Sequence, residues 1–211
     1  MSFQSFAEGP WVLPLLPWLA TPIVLLAALR RQGFLRAWGI LFAILIAVDA
    51  WCAGAFAPFP STSRWAMLTG VVFVIVGDFR YFLVVEARRR RPGRAFAIAL
   101  GLAFVVPLAS QALRMSPWAA RDLRVVYLVY EVAFVALLLA YGALLGRAST
   151  RFERRLLGFE LAQYGAWASV DALLLATKQP VLHVVRVVPN VLYYVAFVPF
   201  ALASVEARDE A

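Results

Sequence analysis

Carboxyl groups inside apolar stretches are the residues of this sequence with the greatest potential for chemistry. Acidic side chains interrupt several such stretches, and one of them is followed two positions later by an arginine: Asp49, Asp78, Arg80, Glu131, Glu160 and Asp171. A charged side chain at mid-bilayer costs at least about 2.5–3.5 kcal/mol on insertion scales, so such residues usually face the bundle interior and mark functional sites. Paired carboxyl groups in different environments can divide acid and base roles. Carboxyl groups spread over several depths can relay protons.

Helical spacing places these residues on shared faces. The sixth apolar stretch carries polar and aromatic residues on one stripe, at about 100° per residue: Glu160, Gln163, Tyr164, Trp167, Asp171 and Lys178. The fifth and seventh stretches have similar faces: Tyr127, Tyr130, Glu131 and Phe134, then Arg186, Asn190, Tyr193, Tyr194 and Phe197. We therefore predict that Asp78, Glu131, Asp171 and Asn190 converge on one internal site. The alternative is a hydrogen-bond network that joins the helices structurally.

The elements that position these residues are long apolar helices. The chain has 211 residues, of which 64% are hydrophobic and 15% charged, whereas soluble domains carry about 25% charged residues. Each apolar stretch is long enough to cross about 30 Å of hydrocarbon at 1.5 Å per residue. The predicted spans are 11–29, 37–59, 66–87, 95–114, 124–146, 155–177 and 183–205. We predict an all-α polytopic membrane bundle of about seven transmembrane helices, forming a single domain over residues 1–211.

The arginines predict the orientation of this bundle. They concentrate in the first, third and fifth loops, including the run at 88–91, and the intervening loops hold fewer basic residues. Short loops rich in basic residues stay in the cytoplasm. We therefore predict a multi-pass protein of the cell membrane, with its N-terminus outside and its C-terminus cytoplasmic. The same distribution accounts for the net charge of +8 without nucleic acid as a partner.

Residue counts disfavour several cofactors. The single cysteine, Cys52, excludes an intramolecular disulfide, and the single histidine, His183, excludes bis-histidine haem and multi-histidine iron sites. Retinal needs a Schiff-base lysine, but Lys178, at the end of the sixth span, is the only lysine. We predict no cofactor and no metal site.

Short motifs resemble a known family. The segment GAWASVDALLLA at 165–176 is similar to the Gly-Ala, Ser-Asp, Leu-Leu-Ala segment of lysoplasmalogenase-type membrane proteins. Gly77-Asp78 resembles that family's Gly-Asp motif, the Gly-Leu-Ala-Phe at 101–104 its Gly-Leu-x-x-Phe, and the Tyr-Tyr-Val-Ala at 193–196 its Tyr-Tyr-x-Ala-Gln. The sequence departs from the family at Thr21, where a lysine is expected, and at Phe197, which replaces the final glutamine. The histidine expected after Gly-Leu-x-x-Phe is also absent, and the family is usually drawn with eight helices.

The resemblance implies hydrolysis of the vinyl-ether bond of lysoplasmalogens, with a lysolipid as substrate and membrane lipid as the surrounding partner. It makes Asp78 and Asp171 the acid/base pair. The predicted substrate-binding residues are Arg80, Glu131, Tyr164, Asn190 and Tyr193. The alternative function is a small-molecule or proton-coupled membrane transporter or binding protein that titrates Asp49, Asp78, Glu131 and Asp171. A non-catalytic relative that binds lipid is a third possibility, and the sequence does not indicate an oligomeric state.

Overall fold

A computed structural model describes residues 15–54, 56–60, 62–114, 123–146 and 149–205. Within these ranges the chain forms seven helices and no strand. The helices are α1 Leu15–Leu29, α2 Gly33–Ala53, α3 Arg64–Ala87, α4 Pro92–Arg114, α5 Leu123–Leu145, α6 Arg151–Thr177 and α7 Leu182–Ala203. The start of the first predicted span, residues 11–14, lies outside the described residues.

Five of these helices, α2, α3, α4, α5 and α7, are long and apolar enough to cross a membrane. The described part of α1 is a shorter apolar helix of 15 residues. Helix α6 is the longest, at 27 residues, and it carries the most polar side chains. The prediction of an all-α helical membrane bundle is confirmed.

Two helix boundaries differ from the predicted ones for local reasons. Helix α2 ends at Ala53 and not at residue 59, since Gly54 and the two prolines that follow, Pro58 and Pro60, oppose helix continuation. Helix α6 begins at Arg151, four residues earlier than predicted, because Thr150 and Glu153 form a capping box. The Thr150 hydroxyl accepts from the Glu153 amide at 3.2 Å, and the Glu153 carboxylate accepts from the Thr150 amide at 2.7 Å.

Helix α7 is not one regular helix. The short helical turns Leu182–Val185 and Val187–Val191 lead into a π-helical turn at Leu192–Ala196, and α-helix resumes at Phe197–Ala203. The first of these turns contains His183, the first residue of the predicted span 183–205. π-turns within helices often occur at functional sites, because they redirect side chains. Here the π-turn carries Tyr193 and Tyr194.

The chain divides into two compact units, and each is described by itself. Unit 1 covers residues 1–74 and 190–211, and unit 2 covers residues 75–189. In unit 1, α1 and α2 pack so closely that a Cβ on Gly39 would lie 2.6 Å from the Cβ of Ala28. In unit 2, α5 packs along α6, with the rings of Phe134 and Tyr164 4.2 Å apart. The prediction of a single domain stays a prediction.

Candidate functional site

Helix α6 carries buried polar side chains along most of its length. They are Glu153, Glu160, Gln163, Tyr164 and Asp171, none more than 2% exposed. The first and last are 18 positions apart, which corresponds to about 27 Å along the helix axis and approaches the roughly 30 Å of a bilayer's hydrocarbon. These residues and their polar partners form what we call the polar column. The partners are Asp78, Arg80, Glu86, Arg89, Arg90, Arg124, Tyr130, Glu131, Tyr141 and Arg186. All of it belongs to unit 2.

Asp171 lies at one end of the polar column, between two arginines. Arg124 donates to Oδ1 at 3.0 Å and Arg186 donates to Oδ2 at 3.1 Å, while Asp171 itself is fully buried. Glu131 is the second carboxyl group here, with Oε1 3.7 Å from Nη2 of Arg186. Two guanidinium groups therefore compensate two carboxyl groups that lie side by side.

Asp78 is the next acidic group along the polar column. Tyr164 donates to its Oδ1 at 2.5 Å, and Tyr130 donates to its Oδ2. The Tyr130 ring stacks on Phe134, which also contacts Tyr164. Asp78 is 2% exposed, so its carboxyl group is enclosed by aromatic rings from two other helices.

Arg80 is a buried cation that interacts with two carboxyl groups. It interacts electrostatically with Asp78 on its own helix and with Glu160 on α6. Gln163, one helical turn after Glu160, donates to Glu160 Oε2 at 3.4 Å. Arg80 therefore connects the Asp78 part of the polar column electrostatically to the Glu160 part.

Two further acids complete the polar column at the arginine-rich end. Glu86 on α3 accepts from the Tyr141 hydroxyl at 2.6 Å and from Nε of Arg90 at 2.5 Å. Glu153 accepts from Nη1 of Arg89 at 3.0 and 3.1 Å. This hydrogen bond raises the pKa of the Arg89 guanidinium, which therefore stays charged.

Sequence reasoning did not include Glu86 or Glu153 in the site. A signal for each was present. Glu86 follows Asp78 by eight positions, about two helical turns, and so falls near the same face of α3. Glu153 completes a Thr-x-x-Glu pattern at the start of a helix.

The remaining predicted site residues, Asn190 and Tyr193, belong to unit 1. Tyr193 donates to the backbone carbonyl of Phe73 at 3.4 Å, and its neighbour Tyr194 donates to Asp49 Oδ2 at 2.9 Å. Asp78, Arg80, Glu131, Tyr164 and Asp171 all belong to unit 2, in the contacts described above. The convergence of Asn190 with these residues stays a prediction.

Among the described residues, no group of three or more His, Cys, Asp or Glu side chains could hold a metal ion. The functional groups of the polar column are carboxyl groups, phenols and guanidinium groups. Comparison with known proteins found no matching family model, curated protein or solved structure. The fold and the site together define the class: a helical membrane protein with an acidic column inside its second unit.

Proposed function

We propose that this chain is a proton-translocating membrane protein of the proton-coupled transporter class, and that the polar column is its proton path. The observation that supports this most is the succession of buried acids along α6 and its neighbours. They follow one another in the order Asp171, Asp78, Glu160, Glu86 and Glu153. Chains of carboxyl groups at several depths are typical of proton relays in pumps and transporters.

The energetic cost of the polar column argues against a purely structural role. Replacing a buried ion pair by well-packed apolar residues is often neutral or stabilising, by about 1–4 kcal/mol. Helix association in membranes is achieved with small residues and single hydrogen bonds. Small residues and single hydrogen bonds would hold α3, α5 and α6 together at a lower energetic cost. The buried acids therefore favour a function in proton transfer.

The hydrogen bonds of Asp78 also suit stepwise transfer. A proton moves between groups within hydrogen-bond reach, directly or through one water. Tyr130 and Glu131 are consecutive on α5, and they connect the Asp78 contacts to the Asp171 contacts. The phenols of Tyr130 and Tyr164 can both accept and donate a proton. Reorientation of these hydroxyls would carry a proton past Asp78.

In the proposed arrangement the protein lies in the cell membrane with its C-terminus in the cytoplasm. The support is the positive-inside rule applied to the arginine-rich connections. Arg89 and Arg90, beside Glu153 and Glu86, then mark the cytoplasmic end of the polar column. Asp171, with Arg124 and Arg186, marks the external end.

The test is proton flux into liposomes that contain the purified protein and an internal pH-sensitive dye. A potassium gradient with valinomycin sets an inside-negative potential. We expect acidification of the interior several-fold faster than in protein-free liposomes of the same lipid. Equal rates in both preparations would reject the proposal.

The hydrolase implied by the motif resemblance is a second candidate. The observation that favours it is the motif carboxyl group of Asp78, enclosed with two phenols beside the cation Arg80. Vinyl-ether hydrolysis needs an acid to protonate the alkenyl carbon and a negative group beside the resulting oxocarbenium ion before water attacks. Asp78 and Asp171 are the proposed acid/base pair, and Glu131, Tyr164, Asn190 and Tyr193 are the proposed substrate contacts.

A separate assay distinguishes this candidate. The purified protein is incubated in detergent with a lysoplasmalogen, and the released fatty aldehyde is measured. Aldehyde from the parent protein that is lost in Asp78→Asn would favour the hydrolase. If no aldehyde is released and protons flow into the liposomes, the hydrolase is rejected and the proton-translocating function is supported.

A further inference from the structure

A cavity of about 550 Å³ lies in unit 1, and none of its lining residues belongs to the polar column. The last turn of α2, residues 57–60 of the following connection and the beginning of α3 form its walls. Its lining is mostly small and apolar residues, with one carboxyl group, Asp49, together with Cys52, Phe59, Thr69 and Gly70. Cavities of about 300–1,000 Å³ hold small organic ligands.

Asp49 gives this cavity its charge. Its Oδ2 accepts from the Tyr194 hydroxyl at 2.9 Å, and no lysine or arginine of the described residues forms an ion pair with it. A phenol is a neutral partner, so it does not compensate the negative charge of a carboxylate. Among the described residues, the cavity therefore has a carboxylate on its wall with no lysine or arginine as its counter-ion.

We propose that this cavity binds an organic ammonium ion, with the ammonium group on Asp49 and the apolar part against the small residues of α2 and α3. A charge-assisted hydrogen bond to a carboxylate is about twice as strong as a neutral one. The ring of Phe59 adds an aromatic face, which favours cations. The binding site goes beyond the proposed proton translocation and does not depend on it.

An ammonium group could reach the cavity from two sources. It could belong to a free lipophilic amine or to the head group of an ethanolamine phospholipid. Both present the same donor to the carboxylate. Nanodiscs made with and without phosphatidylethanolamine distinguish them, because an occupying head group would lower the apparent affinity for a free amine.

The first experiment uses Cys52, the only cysteine of the chain, as a reporter on the cavity wall. Purified protein is labelled with a maleimide in the presence of 2-phenylethylammonium or of the neutral 2-phenylethanol. We expect the ammonium compound to slow the labelling and the alcohol to have little effect at equal concentration. Equal effects of the two compounds would overturn the proposal.

The second experiment measures the affinity for 2-phenylethylammonium by calorimetry in matched variants. Asp49→Asn keeps an acceptor for Tyr194 and removes the charge, so the affinity should fall about tenfold or more. Gly70 lines the cavity, and a Cβ on it meets no atom within 4 Å. Gly70→Leu therefore keeps the charge and occupies part of the cavity, so binding should be lost.

Gly101→Leu is the control for this series. Gly101 lies in α4, and a Cβ there also meets no atom within 4 Å, so the same substitution changes a span without filling the cavity. We expect parental affinity in this variant. Unchanged affinity in both Asp49→Asn and Gly70→Leu would contradict the proposal, whatever the outcome of the proton-flux assay.

Discussion

Tyr164 donates its phenolic proton to Oδ1 of Asp78 at 2.5 Å, across 86 positions of sequence. Both side chains are buried, at 2% exposure each. The contact joins α6 to α3, and Tyr130 on α5 occupies the other oxygen of the same carboxyl group. Three helices of unit 2 therefore meet at one acidic side chain.

Removal of either phenol should destabilise unit 2. Tyr164→Phe and Tyr130→Phe each keep the ring and take one donor from a buried carboxyl group, at a cost of about 1–3 kcal/mol. Tyr127→Phe is the matched control, because the Tyr127 ring is half exposed on the same helix as Tyr130. Thermal unfolding in detergent measures the difference. If all three variants unfold at the same temperature as the parent protein, the hydrogen bonds to Asp78 do not contribute to stability.

Asp171→Asn should be more damaging than the loss of either arginine that it binds. Without the carboxylate, Arg124 and Arg186 lose the counter-ion that they share, and breaking a buried pair costs about 3–5 kcal/mol. Arg124→Gln and Arg186→Gln each leave Asp171 one guanidinium partner, and both arginines are partly exposed, so we expect smaller losses. Unfolding temperatures of the three single variants give the order. A smaller loss of stability for Asp171→Asn than for the two arginine variants would contradict the role of Asp171 as their counter-ion.

Two glycines at close helix contacts should respond differently to alanine. In Gly39→Ala the new Cβ would lie 2.6 Å from the Cβ of Ala28, which cannot move without the backbone of α1. In Gly142→Ala the 2.6 Å neighbour is Cδ2 at the flexible end of Leu157. We expect a loss of about 1–3 kcal/mol for Gly39→Ala and a smaller one for Gly142→Ala. The folded yield and unfolding temperature in detergent test this, and equal effects would count against close α1–α2 packing.

Reporter fusions test the proposed orientation. Fusions after Arg91 and after Arg155 should be active with a cytoplasmic reporter, because both follow arginine-rich connections. A fusion after Trp118 should be active with an external reporter. A cytoplasmic signal from the Trp118 fusion would reverse the assignment of the two ends of the polar column.

Most of the helices could be predicted from the sequence, because apolar stretches of about 20 residues have few alternatives. The ends could not be predicted as well. Helix α2 stops at Ala53 because Gly54 and the following prolines outweigh the apolar character of residues 55–59. The interruption of α7 at Leu192–Ala196 has no counterpart in hydropathy, which does not distinguish a π-turn from an α-turn.

The predicted stripe on α6 illustrates what periodicity can reveal about the site. It predicted one face of six residues. Glu160, Gln163, Tyr164 and Asp171 are buried, whereas Trp167 is half-buried and Lys178, the C-cap after the last turn, is exposed. Periodicity could not choose partners across helices, since those depend on how the helices are aligned along their axes. Two contacts of this kind are the hydrogen bonds of Glu86 with Tyr141 and of Asp171 with Arg124. Each depends on the alignment of two helices that periodicity within one helix does not describe.

Proton flux in Asp78→Asn liposomes, compared with Ser169→Ala, tests the central claim most directly. Ser169 is an exposed residue of the same helix as Tyr164, and its hydroxyl donates to the carbonyl of Gly165, so its removal leaves the polar column intact. Both proteins are reconstituted at equal density and checked for a folded, monodisperse state before the potential is applied. We predict parental flux for Ser169→Ala and a fall to the protein-free rate for Asp78→Asn. Parental flux in folded Asp78→Asn would contradict the assignment of the polar column as a proton path.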